Sequence, residues 1–345
     1  MSNTSLPQLT AGTTIDNKYR IDCLIGQGGM GKVFRVTHVH LSKVFALKLM
    51  NPGNQKRLSR FRREAEALAK INHPNVVAVT DFGVINESPY IVMDYLEGMT
   101  LRFYLKMKGM LTEKEAIAIG RQVCAALHMA HNNNIVHRDL KPENIMIQWL
   151  TDGDMIVRVV DFGLAKLAEG EGANNLTEER ETLGTLKYMP PEQLYHLPLD
   201  QRADIFSFCL IMYEMLTGQV PQVAIARPRA LYELRPEISL RLSDIITRGL
   251  SQQASDRPES ISEVKKELET AAVLSGKAGR GKTGNLPTGA LMHPAITGEA
   301  PAVSLDLLPP QSDDPKRLIK IGLMVFLVLS LLLTAGYLLL SGSRE

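Results

Sequence analysis

The eight residues His137-Arg138-Asp139-Leu140-Lys141-Pro142-Glu143-Asn144, followed by Asp161-Phe162-Gly163, constrain the fold of this 345-residue chain more than any other feature. Asp139 can orient a hydroxyl and accept its proton, while Lys141 can neutralise charge on a moving phosphoryl group. Asn144 and Asp161 supply hard oxygen ligands of the kind Mg2+ takes. A fold that uses all four must bring two separate stretches together around one metal-bound nucleotide. The string is too long for coincidence to explain it well.

A glycine cluster supplies the matching phosphate lid. Gly26-Gln27-Gly28-Gly29-Met30-Gly31-Lys32-Val33 fits G-x-G-x-x-G-x-V, a spacing that dinucleotide-binding domains share. Such a domain must open a helix at this point, whereas Lys32-Val33-Phe34-Arg35-Val36-Thr37 alternates like a strand, so a strand-turn-strand lid is the better reading. The same segment misses the P-loop pattern because Val33 stands where a hydroxyl residue would hold Mg2+. A complete formal P-loop match ends in Gly281-Lys282-Thr283. No apolar strand leads into it, and Gly284, Pro287 and Gly289 break any helix after it, so a glycine-lysine tether is the preferred reading.

Periodicity divides the chain. Residues 19–36 alternate around the glycines, 44–49 read as a third strand, and 57–71 have helical spacing with Phe61, Ala65 and Leu68 on one side. Short strands follow near 76–79 and 90–93. Beyond Gly98 helical patterns dominate, at 113–131, 204–216, 240–250 and 261–274. There are no internal repeats.

Over about residues 19–268 these motifs resemble the eukaryotic-type Ser/Thr protein kinases, most like their bacterial membrane-anchored members. The resemblance implies an α+β, two-lobed kinase fold: a small β-rich N-lobe at 16–96 and a large α-rich C-lobe at 97–274, after a leader at 1–15. It implies ATP as phosphoryl donor, Mg2+ as metal with Mn2+ as a substitute, and Ser/Thr hydroxyls of proteins as acceptors. ATP is expected on Ile25, Gly26, Gln27, Gly28, Gly29, Met30, Gly31, Lys32, Val33, Ala46 and Lys48, and on a hinge of Met93, Asp94 and Leu96 that meets the adenine. Lys48 is expected to hold phosphates with Glu64 as its helix partner, though Glu66 is also near. Val33 and Ala46 are equally readable as core residues. Catalysis would fall to Asp139, Lys141, Lys48, Glu64 and Thr185, with Asn144 and Asp161 on the metal.

Further roles follow from the same resemblance. Arg138 would anchor a phosphate added to the activation segment, with Thr177 and Thr182 as candidate phosphosites or plain loop threonines. Glu192 should pair with Arg257, and Asp204 should brace the catalytic loop or act as a simple helix N-cap. Two positions depart from the family pattern: Pro190 precedes Pro191-Glu192, and Cys209 stands where glycine is common. The region 221–236 has little helical spacing, so the helix that often docks protein substrates is expected to be small or missing. A pseudokinase scaffold is the alternative; its usual mark, loss of the lysine, base or metal ligand, is absent.

Composition settles the remaining questions of class. Hydrophobic residues at 45% suffice for a core, while a net charge of +2 and 6% aromatics give no global sign of a nucleic-acid partner. Cys23, Cys124 and Cys209 lie far apart in apolar surroundings and read as buried thiols in a reducing compartment. The first 14 residues lack a signal-peptide pattern. After Leu274 the composition turns to Gly, Pro, Lys and Ser, so 275–317 reads as a flexible linker with a reach of roughly 35 Å. Residues 321–340 are an uncharged apolar run long enough to cross a bilayer. Lys316, Arg317 and Lys320 before it and only Arg344 after it predict a kinase domain on the cytoplasmic face of the inner membrane, a single span at 318–340 and a short outer tail at 341–345. Ser330 and Thr334 at small-xxx-small spacing are a candidate seam for a homodimer that would phosphorylate itself in trans.

Overall fold

The protein, seen as a computed structural model, is described at residues 9–28, 31–52, 55–151, 153–162, 185–221 and 228–278. Residues 1–283 form one unit; the second, 284–345, lies wholly outside the described residues.

Six antiparallel strands build the first sheet: β1 (Thr14–Ile15), β2 (Tyr19–Gly28), β3 (Gly31–His38), β4 (Val44–Met50), β5 (Val79–Ile85) and β6 (Ser88–Asp94), in the order β1-β2-β3-β4-β6-β5. Alternation on β4 sends its residues to two different cores. Phe45, Leu47 and Leu49 join Tyr19, Ile21 and Phe34 on one face, while Ala46 and Met50 join Phe61, Ile91 and Met93 on the other. Helix α1 (Gln55–Ala69) covers that second face with Phe61, Ala65 and Leu68. Lys48 shares its parity with Ala46 and Met50 and so lies on the side away from the first core. Asn86 and Glu87, both at positive φ, close the two-residue β5–β6 hairpin in the manner of a type I′ turn.

The rest is mainly helical: β7 (Met99–Thr100), α2 (Leu101–Lys108), α3 (Glu113–Asn132), β8 (Ile145–Trp149), β9 (Met155–Val159), α4 (Pro191–Leu194), α5 (Arg202–Thr217), α6 (Leu231–Leu234), α7 (Leu240–Gly249) and α8 (Ile261–Ala278). Strands β7, β8 and β9 form a second, three-stranded sheet. A reciprocal capping box of Thr112 and Glu115 starts α3. Helix α5 is buried from Ala203 through Leu216, which is why its sequence is apolar on every side apart from Asp204, Ser207 and Glu214. Gly249 on α7 lets the two helices meet there, because a Cβ at that position would lie 2.2 Å from Cys209 Sγ. The cysteine that departs from the family glycine is thus matched by a glycine opposite.

Several expectations need correction. The strand placed at 76–79 is β5, Val79–Ile85; Val76 makes only an isolated parallel bridge to Val159. Helix α2 and the β8–β9 hairpin lie where helical spacing alone was expected to dominate or left no element. Cys124 and Cys209 are buried, but Cys23 is exposed on β2 next to a register shift in the β2–β3 pairing. Helix α8 runs four residues past Leu274 before the described chain ends. In the 221–236 region the described residues hold one helical turn, α6, and 222–227 lie outside them. Among the described residues no helix is long and apolar enough to cross a membrane. The run at 321–340, Ser330 and Thr334, the Gly281-Lys282-Thr283 end of the P-loop match, Gly29, Met30, Thr177 and Thr182 fall outside the described residues, while the first residues of that match, 276–278, belong to α8.

Candidate active site

The catalytic string occupies the loop between α3 and β8, and one buried carboxylate holds it. Asp204, 1% exposed at the start of α5, accepts the backbone amides of His137 at 2.8 Å and Arg138 at 3.0 Å. His131 Nε2, from the last turn of α3, lies 2.7 Å from the same carboxylate. Burial by itself would raise the Asp204 pKa; the hydrogen bond and charge of His131 and the His137 amide outweigh it and hold the carboxyl below the usual aspartate range. The helix N-cap is Gln201, so bracing is the role Asp204 fills.

His137 is fully buried and ties this loop to the metal-loop strand. Its Nε2 donates to Val160 O at 2.9 Å, its Nδ1 accepts the Asp139 amide at 3.3 Å, and its ring lies 4.7 Å from that of Phe162. Arg138 and Asp161 both have positive φ, 65° and 63°, in a region that non-glycine residues enter at a cost. That turn in the backbone presents Asp139 and Asp161 to the cleft.

Around Asp139 the expected partners gather. Lys141 Nζ lies 2.9 Å from Asp139 Oδ2. Asn144 Nδ2 donates to Asp139 O at 2.7 Å and to Asp139 Oδ2 at 3.2 Å, which fixes the amide flip and leaves Asn144 Oδ1 as the oxygen donor. Val160 N donates to Asn144 O at 3.0 Å, so the two metal-ligand candidates are fastened to one another through the backbone. Asn144 and Asp161 therefore fit a hard cation that completes its shell with phosphate oxygens and water.

Among the described residues the partner of Lys48 Nζ is Asp161 Oδ2, at 2.8 Å, where Glu64 was expected. Glu64 instead lines a pocket with Leu68, Ile135 and Arg138. The reason is local: the positive φ of Asp161 aims its carboxylate at β4, where a lysine that is 8% exposed needs an anion. Gly28 and Gly31 pair at the end of the β2–β3 hairpin, with Gly26 opposite Val33 and Gln27 opposite Lys32. Ile25 stays exposed, whereas Ala46 and Met93 are buried together and Val33 packs against their core. The Asp94 amide already donates to Ala78 O, so that group is not the one to hold an adenine edge; Leu96 follows three residues after Met93, partly buried. Thr185 opens the turn Thr185–Tyr188, its side chain outside the described set. Glu192 and Arg257 form the expected pair, bidentate at 2.6 and 2.8 Å, with Arg257 also donating to the carbonyls of Ser251, Arg202 and Gln252.

Sequence reasoning missed His131, the bridging role of His137, and Arg102 of α2. Arg102 donates to Glu143 and Glu214 and lies across residues more than forty positions away, beyond any motif spacing.

Comparison with known proteins gives a single direction. The protein kinase domain family matches residues 19–272. The serine/threonine-protein kinase pkn3 of Myxococcus xanthus is 37% identical over 276 residues, 75% of this chain and 50% of that protein. The serine/threonine-protein kinase PknB of Mycobacterium tuberculosis is 32% identical over 278 residues, 75% of this chain and 44% of its own. The crystal structure of Rad53 1-466 in complex with AMP-PNP superposes with a TM-score of 0.61 at 26% identity, covering 74% of this chain and 65% of that one. The chain thus spans about half the length of these curated relatives, or somewhat less.

Proposed function

This chain belongs to the protein kinase domain family, and on that premise we propose that it transfers the γ-phosphoryl group of ATP to serine and threonine hydroxyls of proteins, its own activation segment included. The observation that carries the proposal is the fastening of Asp139 by Lys141 and Asn144 in a loop hung on Asp204. Asp139 accepts the proton of the acceptor hydroxyl as the oxygen attacks the γ-phosphorus, and the bond to the bridging oxygen of ADP breaks. Lys141 stabilises the charge that develops beside it. Lys48 orients the nucleotide phosphates from β4, and the glycine hairpin closes over them with backbone amides. Mg2+, held by Asn144 Oδ1 and Asp161, would neutralise the β- and γ-phosphate oxygens, with Mn2+ as a substitute.

The apolar run at 321–340 with its preceding cations supports a single-pass anchor in the cytoplasmic membrane, the kinase domain inside, and a reach that lets neighbours phosphorylate one another at Thr177 or Thr182. Radiolabel transfer by the full chain tests the chemistry. Wild type should label protein while Asp139→Asn should retain nucleotide binding and lose about 10³-fold or more in rate; equal rates would sink the catalytic assignment in favour of a scaffold. For the anchor, removal of residues 318–345 should move the protein from the membrane pellet to the supernatant, and a full chain that never pellets with membranes would refute it.

A further inference from the structure

Arg102 occupies a junction that the reaction as described does not use. It is the second residue of α2, and its guanidinium faces three separate elements at once. Nε donates to Glu143 Oε1 at 2.8 Å, Nη1 donates to Glu214 Oε1 at 2.6 Å, and Nη2 donates to the Tyr188 hydroxyl. Tyr188 in turn donates to Glu214 Oε2 at 2.5 Å, and the Arg102 guanidinium carbon stands 5.7 Å from the centre of its ring. Glu214 and Tyr188 are buried and Arg102 is mostly so, while Glu143 reaches solvent.

The position of these partners gives the junction its meaning. Glu143 lies between Lys141 and Asn144, in the turn Pro142–Asn144 that sets the Asn144 amide against Asp139. Tyr188 closes the turn Thr185–Tyr188, directly before Met189-Pro190-Pro191-Glu192, and its carbonyl accepts Ser207 Oγ at 2.7 Å. Glu214 sits on α5, the helix that also carries Asp204. One side chain therefore joins the catalytic loop to the end of the activation segment, and both to the helix that braces the loop. Only a planar fork with five donors can address three oxygens in these directions; a lysine ammonium would reach one or two. Burial works against the charge on Arg102, and the hydrogen bonds to Glu214 and Glu143 more than offset it, raising its pKa.

We propose that Arg102 is a positioning residue for the protein acceptor, holding the Thr185–Tyr188 turn and the Pro142–Asn144 turn in register so that an acceptor hydroxyl seated on the first meets Asp139 beside the second. Nucleotide-binding residues on β2 to β6 do not touch this junction, so its loss should separate the two substrates. The inference rests on the phosphoryl-transfer reading above.

The test uses the full chain, dephosphorylated casein as acceptor, and Arg102→Met and Arg102→Lys. In Arg102→Met the acceptor KM should rise about tenfold, the effect of one charge-assisted hydrogen bond, while the ATP KM stays within about twofold. Arg102→Lys should recover part of the acceptor KM. Backbone hydrogen exchange supplies an arm that needs no turnover: the Asn144 and Met189 amides should exchange faster in Arg102→Met while those of β4 and β6 stay as in wild type. Equal effects on both KM values, no effect on either, or exchange that rises evenly across the domain would overturn the proposal. If wild type transfers no phosphate, the catalytic reading fails by itself, and localised exchange still supports the positional role while unchanged or uniform exchange overturns it.

Discussion

Asp204 shows how one side chain can set the geometry of a loop sixty-odd residues earlier. Its two oxygens serve the amides of His137 and Arg138 and the ring of His131, so no replacement satisfies all three. Asp204→Asn would place an NH2 group against a donor, and we expect it to cost about 3 kcal/mol of stability, read as a lowered denaturant midpoint, together with most of the transfer activity. The same carboxyl predicts an acid limit. Because its folded pKa lies below the unfolded value near 3.8, its stabilisation is present above that pH and is lost as pH falls through the lower folded value. Stability curves of wild type and Asp204→Asn should converge below pH 3.8; parallel curves would contradict the assignment. The aspartate was legible as a brace only through the resemblance to the kinase family; its place before an apolar helix read equally as an N-cap. His131 was not, because a histidine near the end of a helix carries no mark of which way it will face.

At the scale of elements, close approaches decide what the helices and hairpins tolerate. Gly249→Ala would push a methyl into Cys209 Sγ and should cost about 1–3 kcal/mol by overpacking. Cys209→Ala should recover part of that loss, since the nearest remaining Cys209 atom, Cβ, is 3.2 Å away; a double-mutant cycle with purely additive losses would refute the match. In the glycine hairpin, Gly31 has φ +148° and a Cβ there would lie 2.0 Å from Leu49 O. Gly31→Ala should therefore raise the ATP KM and lower the melting temperature together. The long elements were readable because their patterns are strong: α3 by the helical spacing of 113–131, and β4 by an apolar run from Val44 to Leu49 broken only by Lys48. Strands β8 and β9 were not, since Ile145, Ile147, Val157 and Val159 are all fully buried and five-residue, mostly apolar segments of that kind do not distinguish a strand from a buried helix.

At the scale of the molecule, the Glu192–Arg257 pair clasps the end of the activation segment to the turn before α8. Arg257→Met would leave Glu192 charged and buried and free three carbonyls, and we expect a loss of about 3–5 kcal/mol, read by calorimetry on the full chain. Burial also pushes the Cys209 thiol up to about 12 from an ordinary value of 9.0, so folding stability should fall as pH rises between those values, less so in Cys209→Ala. By itself the sequence pointed to the proposed chemistry of the site: Asp139, Lys141, Asn144 and Asp161 are adjacent enough in the chain for residue types and spacing to assign them the roles proposed above. It also determined which lobe would be sheet and which helix, because hydrophobic period is a local property. Only the tertiary structure decided that Lys48 faces Asp161 instead of Glu64, that Cys209 needs Gly249, and that Arg102 joins Glu143, Tyr188 and Glu214. Those pairings join residues far apart in the chain, and they depend on side-chain direction and burial, which no spacing along the chain encodes.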